Sequence, residues 1–120
     1  MAKHIETGKR GEALAVRFLT SKGYTILETN WRNNHKEIDI IAMDKDELVI
    51  VEVKTRSTDY FGFPDEFVDA AKQKNLIHAA QAYIDKTDMD AGVRYDIVSV
   101  ILTGTSHTIH HITDAFTPGL

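Results

Sequence analysis

A chain of 120 residues, 42% hydrophobic and 27% charged, has the size and balance of one globular domain. It contains no cysteine, which excludes disulfides and thiolate metal sites and fits a reducing compartment. A formal net charge of −4 argues against nucleic-acid binding by bulk charge alone, though not against a local basic patch.

The opening MAKHIETGKRGE is polar and lacks a signal peptide's apolar core, and no apolar run reaches membrane-spanning length. A cytoplasmic protein without membrane contact is the expectation. Residues 7–22 read as a helix capped by Thr7, with Leu14, Ala15, Phe18 and Leu19 as its apolar stripe and Gly23 ending it. Residues 24–31 read as a first strand. Residues 37–43 and 48–54 alternate in hydropathy, and Asp44-Lys45-Asp46-Glu47 between them is a four-residue polar turn, so the two runs predict a hairpin. A loop over 55–63, containing Asp59, Tyr60, Phe61 and Gly62, precedes a long helix. That helix starts at Pro64 or Asp65, runs to about Lys86, and turns Phe67, Val68, Ala71, Ile77, Ala80 and Ile84 inward. Residues 94–102 form a fourth strand, Gly104 breaks it, and 107–112 form a fifth strand at an edge. The remainder, 113–120, is expected to be a loose tail.

The order α-β-β-β-α-β, with a last β, predicts an α/β fold. Both faces of the hairpin carry large apolar residues, so it should be central and covered on both sides. Two helices supply that cover in a three-layer sandwich around a central mixed sheet, within a single domain spanning 1–120.

Two carboxylates and a lysine interrupt the apolar hairpin. If Met43 faces Leu48, then Asp39 faces Glu52 and Glu37 faces Lys54. Alternation puts Glu37, Asp39, Glu52 and Lys54 on one face with Ile41, Met43, Leu48 and Ile50. Ile38, Ile40, Ala42, Val49, Val51 and Val53 occupy the other. Opposed Cβ atoms lie about 4.5–5.5 Å apart, and two carboxylates so close repel unless one is protonated or a cation sits between them. Oxygen donors suit Mg²⁺ or Mn²⁺. The competing reading is a structural ion pair of Lys54 with Glu37 or Glu52. Lys54 either orients an attacking water and offsets charge on a phosphate, or snorkels from a strand end.

Glu12, one turn inside the first helix, shares a side with Ala15, Val16 and Leu19. It either points at the sheet or is a helix-start acid favoured by the macrodipole. Glu37 is a further ligand, a carboxylate behind the ligands or a partner of Lys54, with the supporting roles favoured. Gln73 shares a stripe with Ile77, Ala80 and Ile84; it reaches the charged end of the sheet or lies on the surface. Arg94 and Asp96 read as a structural pair. His107, His110 and His111 alternate on an edge strand and read as surface, without zinc-ligand spacing. Phosphate-cradling glycine loops, a serine elbow and a dinucleotide fingerprint are absent from the sequence.

Asp39…Glu52-Val53-Lys54 with an upstream helical Glu12 resembles the PD-(D/E)xK nuclease superfamily. More closely, the chain is similar to the YraN family of bacterial proteins, related to Holliday junction resolvases of the archaeal type. The stretches that carry the likeness are GKRGEALAVRFLTSKGYTILETNWR, KEIDIIA, LVIVEVKTR, FGFP, Ala71-Lys72-Gln73 and RYDIVSV, nearly everything up to Val100. The resemblance implies a restriction-endonuclease-like core and a Mg²⁺ or Mn²⁺ site. Asp39 and Glu52 would be its ligands, Val53 would add its carbonyl, Lys54 would be the catalytic lysine, and Glu12 would match the acid of the first helix. Gln73 matches a supporting helix position. One departure is Lys36, preceded by His35, where the family pattern has glycine before Glu-Ile-Asp. The implied activity is hydrolysis of DNA phosphodiesters, in branched DNA if the resolvase likeness extends that far, by a homodimer. The alternative is a non-catalytic nucleic-acid-binding or adaptor protein that retains the nuclease fold. A structural protein with surface ion pairs is a third reading.

Overall fold

The alternating runs KEIDIIAMD and ELVIVEVKTRS fold as antiparallel strands β2 (Lys36–Asp44) and β3 (Glu47–Ser57). The computed structural model describes residues 2–57 and 68–118, with side chains from Glu6 onward. Around the hairpin lie α1 (Ala2–Ser21), β1 (Thr25–Asn33), α2 (Ala70–Thr87), β4 (Gly92–Thr103) and β5 (Ser106–Ile112). The strands form one sheet in the order β1-β2-β3-β4-β5. Only β3 and β4 pair in parallel, from Glu47↔Gly92 to Ser57↔Leu102, and the crossover between them carries α2, as parallel strands require. The α/β class, the mixed sheet and the helical cover are those expected.

The hairpin register is also as expected, with Met43 opposite Leu48. The turn is shorter than the four residues anticipated. Asp44 pairs with Glu47, which leaves Lys45-Asp46 as a two-residue turn with Lys45 at φ 57°. Each face of the sheet has its own core. On the α1 side, Ala15 and Leu19 meet Ile40, Ala42, Val49, Val51, Val98 and Val100. On the α2 side, Leu76, Ala79, Ala80 and Tyr83 meet Ile41, Leu48, Ile50, Tyr95 and Ile97.

Several boundaries differ from the sequence reading. Helix α1 begins at Ala2, so Thr7 is interior rather than a cap; the Ala, Lys and Glu before it are good helix formers and carry the helix through it. Helix α2 is capped by Asp69, whose carboxylate accepts from Lys72 N–H at 2.8 Å. It therefore starts at Ala70 rather than at Pro64 or Asp65. Those two residues, Phe67 and the loop aromatics Tyr60 and Phe61 lie outside the described residues. The inner face of α2 is centred on Leu76 and Tyr83, with Ile77 and Ile84 only partly buried. The tail expected to be loose docks over its first residues. Ala115 N–H donates to Tyr95 O at 2.7 Å, and Phe116 stacks on Tyr95 with ring centroids 4.8 Å apart.

His111 is buried rather than on the surface. Its Nε2 meets Asp96 at 2.8 Å and its Nδ1 meets Lys22 Nζ at 2.8 Å, with Phe18 and Tyr24 edge-on to the ring. The lysine can only donate, so Nδ1 accepts and Nε2 carries its proton to Asp96. Arg94 and Asp96 form the expected structural pair through two hydrogen bonds of 2.9 and 3.0 Å. Arg94 also reaches Asp44, Glu47 and the Tyr24 hydroxyl. This network ties the turn end of the hairpin to β4, β5 and the exit of α1. The opposite end of the hairpin carries the carboxylates.

Candidate active site

Asp39 lies where regular pairing of β2 with β3 gives way. The ladder runs from Asp44↔Glu47 to Ile40↔Val51, and beyond it Asp39 Oδ2 accepts from Val53 N–H at 2.8 Å. Alternation breaks at the same point. Ile38 shares the α2-side core with Ile41, three residues away, although strict alternation puts them on opposite faces. The expectation that Ile38 sits with Ile40 is therefore corrected. Strand β1 breaks in step. Asn30, opposite Asp39 between the pairs Thr29↔Ile40 and Trp31↔Ile38, has φ 53°. Asparagine tolerates this left-handed conformation better than most residues. Thr29 and Asn30 then both line the α1 side, while Trp31 packs on the α2 side against Tyr83.

The break turns Asp39 towards α1, so it does not share a face with Glu52 as simple alternation predicts. The two carboxyls meet nonetheless. Glu52 is mostly buried, and that burial first, then the neighbouring Asp39, pushes its pKa up to about 7. Glu52 Oε2 makes an ion pair with Lys72 Nζ at 3.5 Å. Glu52 Oε1 is buried without a hydrogen-bond partner; Asp39 could share a proton with it only if one carboxyl were protonated. Each carboxyl thus commits one oxygen to the chain, Asp39 Oδ2 to Val53 and Glu52 Oε2 to Lys72. Each keeps another oxygen to which no side chain or N–H among the described residues donates.

Glu12 approaches from α1. Its Oε1 accepts from Asn30 Nδ2 at 2.5 Å, and its pKa is raised by burial, with Asp39 and Glu37 adding to the shift. With Thr7, Gly8, Asp39, Val53 and Thr55 it lines a recess of about 290 Å³. This approach depends on Gly11. A Cβ there would lie 2.0 Å from Thr55 Oγ1 and 2.6 Å from Thr55 Cγ2, so only glycine lets α1 come this close to β3.

The remaining expected residues divide. Lys54 follows Glu52 by two on β3, is paired in register with Ser99, and has no hydrogen bond or ion pair among the described residues. Ser99 Oγ is itself buried without a partner. Glu37 pairs with Arg32 at 2.7 Å rather than with Lys54, and Arg32 is 76% exposed, which makes the pair a weak surface contact. Gln73 donates its side-chain amide to Val68 O at 2.7 Å, a bond that braces the entry of α2. Two contributors were not picked out from the sequence. Lys72 looks there like any helix lysine and gives no signal. Asn30 gives one, because asparagine in the middle of a strand is disfavoured unless the backbone needs a left-handed residue.

The donor set is sparse. Among the described residues no three His, Asp or Glu side chains converge. Two carboxylates with a main-chain carbonyl and waters fit Mg²⁺ or Mn²⁺, which keep much of their hydration. The buried Glu52 Oε1, without a hydrogen-bond partner among the described residues, fits such a cation too, which would take the place of a proton there.

Comparison with known proteins adds a family. Residues 11–100 match the model described as "Uncharacterised protein family UPF0102". A UPF0102 protein of Bacteroides thetaiotaomicron is 48% identical over 120 residues, covering 100% of this chain and 99% of the relative. One from Flavobacterium psychrophilum is 49% identical over 116 residues, covering 97% and 98%. One from Chlorobium chlorochromatii is 44% identical over 117 residues, covering 92% and 91%. The matched segment takes in Glu12, Asp39, Glu52 and Lys54.

Proposed function

The chain belongs to the uncharacterised protein family UPF0102, the YraN family that its sequence resembles, and from that starting point we propose that it is a divalent-metal-dependent DNA nuclease. The observation that supports this reading is the Asp39–Glu52 pair, in which one buried Glu52 oxygen has no hydrogen-bond partner among the described residues, with Lys54, also unpaired among them, two residues on along β3. A protein that needed only a fold would gain by replacing these groups with apolar ones.

Asp39 and Glu52 would hold Mg²⁺ or Mn²⁺, with the Val53 carbonyl completing the protein's share. Bound there, the cation supplies an activated water and neutralises charge on a phosphate oxygen. The Val53 N–H fixes the Asp39 carboxylate in place. Lys72 holds one Glu52 oxygen and leaves the other turned inward. Lys54 donates to the attacking water or to a non-bridging phosphate oxygen, a charge-assisted bond that strengthens as negative charge develops. Glu12, with its raised pKa, lines the same recess as Asp39 and would accept a hydrogen bond from a water held there. A preference for branched DNA and a homodimeric state extend the reading along its likeness to resolvases.

The test pairs binding with turnover. Mn²⁺ titration by calorimetry should give heat with the wild type and none with Asp39→Ala; equal heats would remove the metal site. Linear, flap and four-way-junction DNA incubated with Mg²⁺ or Mn²⁺ should be cut by the wild type and not by identically purified Lys54→Ala. Cutting by both preparations would point to a contaminant and sink the assignment.

A further inference from the structure

A second recess, of about 590 Å³, lies between α1 and the edge strand β1. It is lined by Lys9, Glu12, Ala13, Val16, Arg17, Thr29 and Asn30. Glu12 also lines the recess that holds Asp39, so the two recesses adjoin at Glu12 and its bonded Asn30. The second recess adds two basic residues to Glu12. Lys9 and Arg17 are exposed, eight residues apart, and lie on one helix face with Ala13 between them. Neither has an ion pair or hydrogen bond among the described residues. Arg10, next in sequence, is engaged with Gly104 O at 2.7 Å. Two exposed cations flanking an apolar floor of Ala13 and Val16 make a surface that suits an anionic ligand with apolar parts.

The spacing suits a polyanion. Eight residues of helix rise about 12 Å, the axial length of three to four nucleotides of a B-form strand. We propose that this groove is the track for one DNA strand alongside the reaction centre, with phosphates on Lys9 and Arg17 and sugar carbons against Ala13 and Val16. The proposal rests on the nuclease reading and gives the strand a course: it runs along α1 and β1 and passes beside Glu12. Thr29 and Asn30, on the unpaired edge of β1, offer hydroxyl and amide groups to the same backbone.

The experiment measures binding without cutting. Fluorescence anisotropy of labelled single-stranded and flap DNA is followed in EDTA from 50 to 200 mM salt. Each phosphate contact contributes about 0.7–0.9 to the slope of log K against log salt. The double variant Lys9→Ala/Arg17→Ala should flatten that slope by between about 1 and 2 and weaken binding at least about tenfold at low salt. Ala13→Glu, which leaves both cations in place, should weaken binding in the same direction. Lys45→Ala/Lys74→Ala, with the same charge change on exposed residues outside the groove, should bind like the wild type. Should the groove variant and this control behave alike while the wild type binds, the track is wrong and the nuclease reading survives. If the wild type binds none of the DNA forms, both fall.

Discussion

Glu52→Gln separates a functional carboxylate from a structural one, because the two readings predict opposite signs. In the native protein the Glu52 pKa stands at about 7 against an ordinary 4.5, chiefly through burial and then through Asp39. The folded state therefore binds this proton more tightly than the unfolded chain does. Below pH 4.5 both states hold the proton and the group is neutral in its effect. As pH rises from 4.5 to 7 the unfolded chain releases the proton first, so stability falls, and above 7 the full loss is present. A shift of this size corresponds to about 3 kcal/mol at pH 8 and less than about 1 kcal/mol at pH 5. Glutamine keeps the shape, carries no charge, and its amide can donate to Asp39. In EDTA at pH 8 the variant should melt roughly 10 °C above the wild type, and at pH 5 by a few degrees at most. Saturating Mn²⁺ at pH 8 should reverse the order by stabilising only the wild type. A variant that is less stable than the wild type at pH 8 in EDTA would show that Glu52 serves the fold through Lys72, and the reasoning would fail.

Other perturbations read neighbouring features. Lys72→Met removes the cation that holds the Glu52 pKa down, so the pH midpoint of Mn²⁺ binding should rise by roughly half a unit; an unchanged midpoint in calorimetry from pH 6 to 8.5 would refute the coupling. Gly11→Ala should cost about 1–3 kcal/mol in urea unfolding despite alanine's better helix propensity, because its Cβ meets Thr55. Adding Thr55→Ala should recover part of that loss, and a stabilised single variant would show that α1 is free to shift. Asp96→Asn should cost about 3–5 kcal/mol by leaving Arg94 without its closest carboxylate. Asp96 has the opposite sign to Glu52. His111, Arg94 and the Asp114 N–H overcome its burial and depress its pKa, so its contribution is present above about pH 4 and lost as pH falls through the depressed value. An acid-unfolding profile unchanged in Asp96→Asn would contradict this.

The legible parts of the sequence were those governed by local rules. Period-two alternation and a polar turn determine which residues of β2 and β3 oppose one another near the turn, and Met43↔Leu48 follows. The same rule fails at Asp39, because one left-handed residue on the neighbouring strand rotates the following side chains to the other face. The nearness of Asp39 to Glu52 was therefore legible, while the side of the sheet each approaches was not. Lys72 and His111 were hidden for a different reason. Each acts through a partner distant in sequence, Glu52 in one case and Asp96 with Lys22 in the other, and no spacing along a single element encodes such a contact. Thr7 shows the reverse error, a genuine capping residue type overridden by good helix formers before it.

The departures from a plain sandwich cluster at one end of the hairpin, and that clustering is itself an argument about function. Asn30 adopts φ 53° inside a strand, Gly11 weakens a helix interior, the Asp39 carboxylate bonds a main-chain N–H beyond the ladder, and Glu52 resists ionisation. The Asn30 backbone, the glycine inside α1 and the buried Glu52 carboxyl are each unfavourable alone. Each also brings a polar group towards the same recess: Asn30 orients Glu12, Gly11 lets α1 approach, and the broken alternation turns Asp39 from the α2 side to the α1 side. The opposite end of the hairpin has the contrary design. Arg94, half-buried, is engaged by Asp44, Glu47, Asp96 and Tyr24, and buried Asp96 by Arg94, His111 and Asp114. Among the described residues, buried charge is thus satisfied where it braces the sheet, and an oxygen without a partner remains at Glu52, where the proposed cation would sit. The distinction is testable without any assay of cleavage. Millimolar Mn²⁺ should raise amide-exchange protection around Val53 and Asn30 while leaving Asp96 and His111 unchanged. Uniform protection along the hairpin would mean that the two ends respond as one body, and the division into a braced end and a reactive end would be lost.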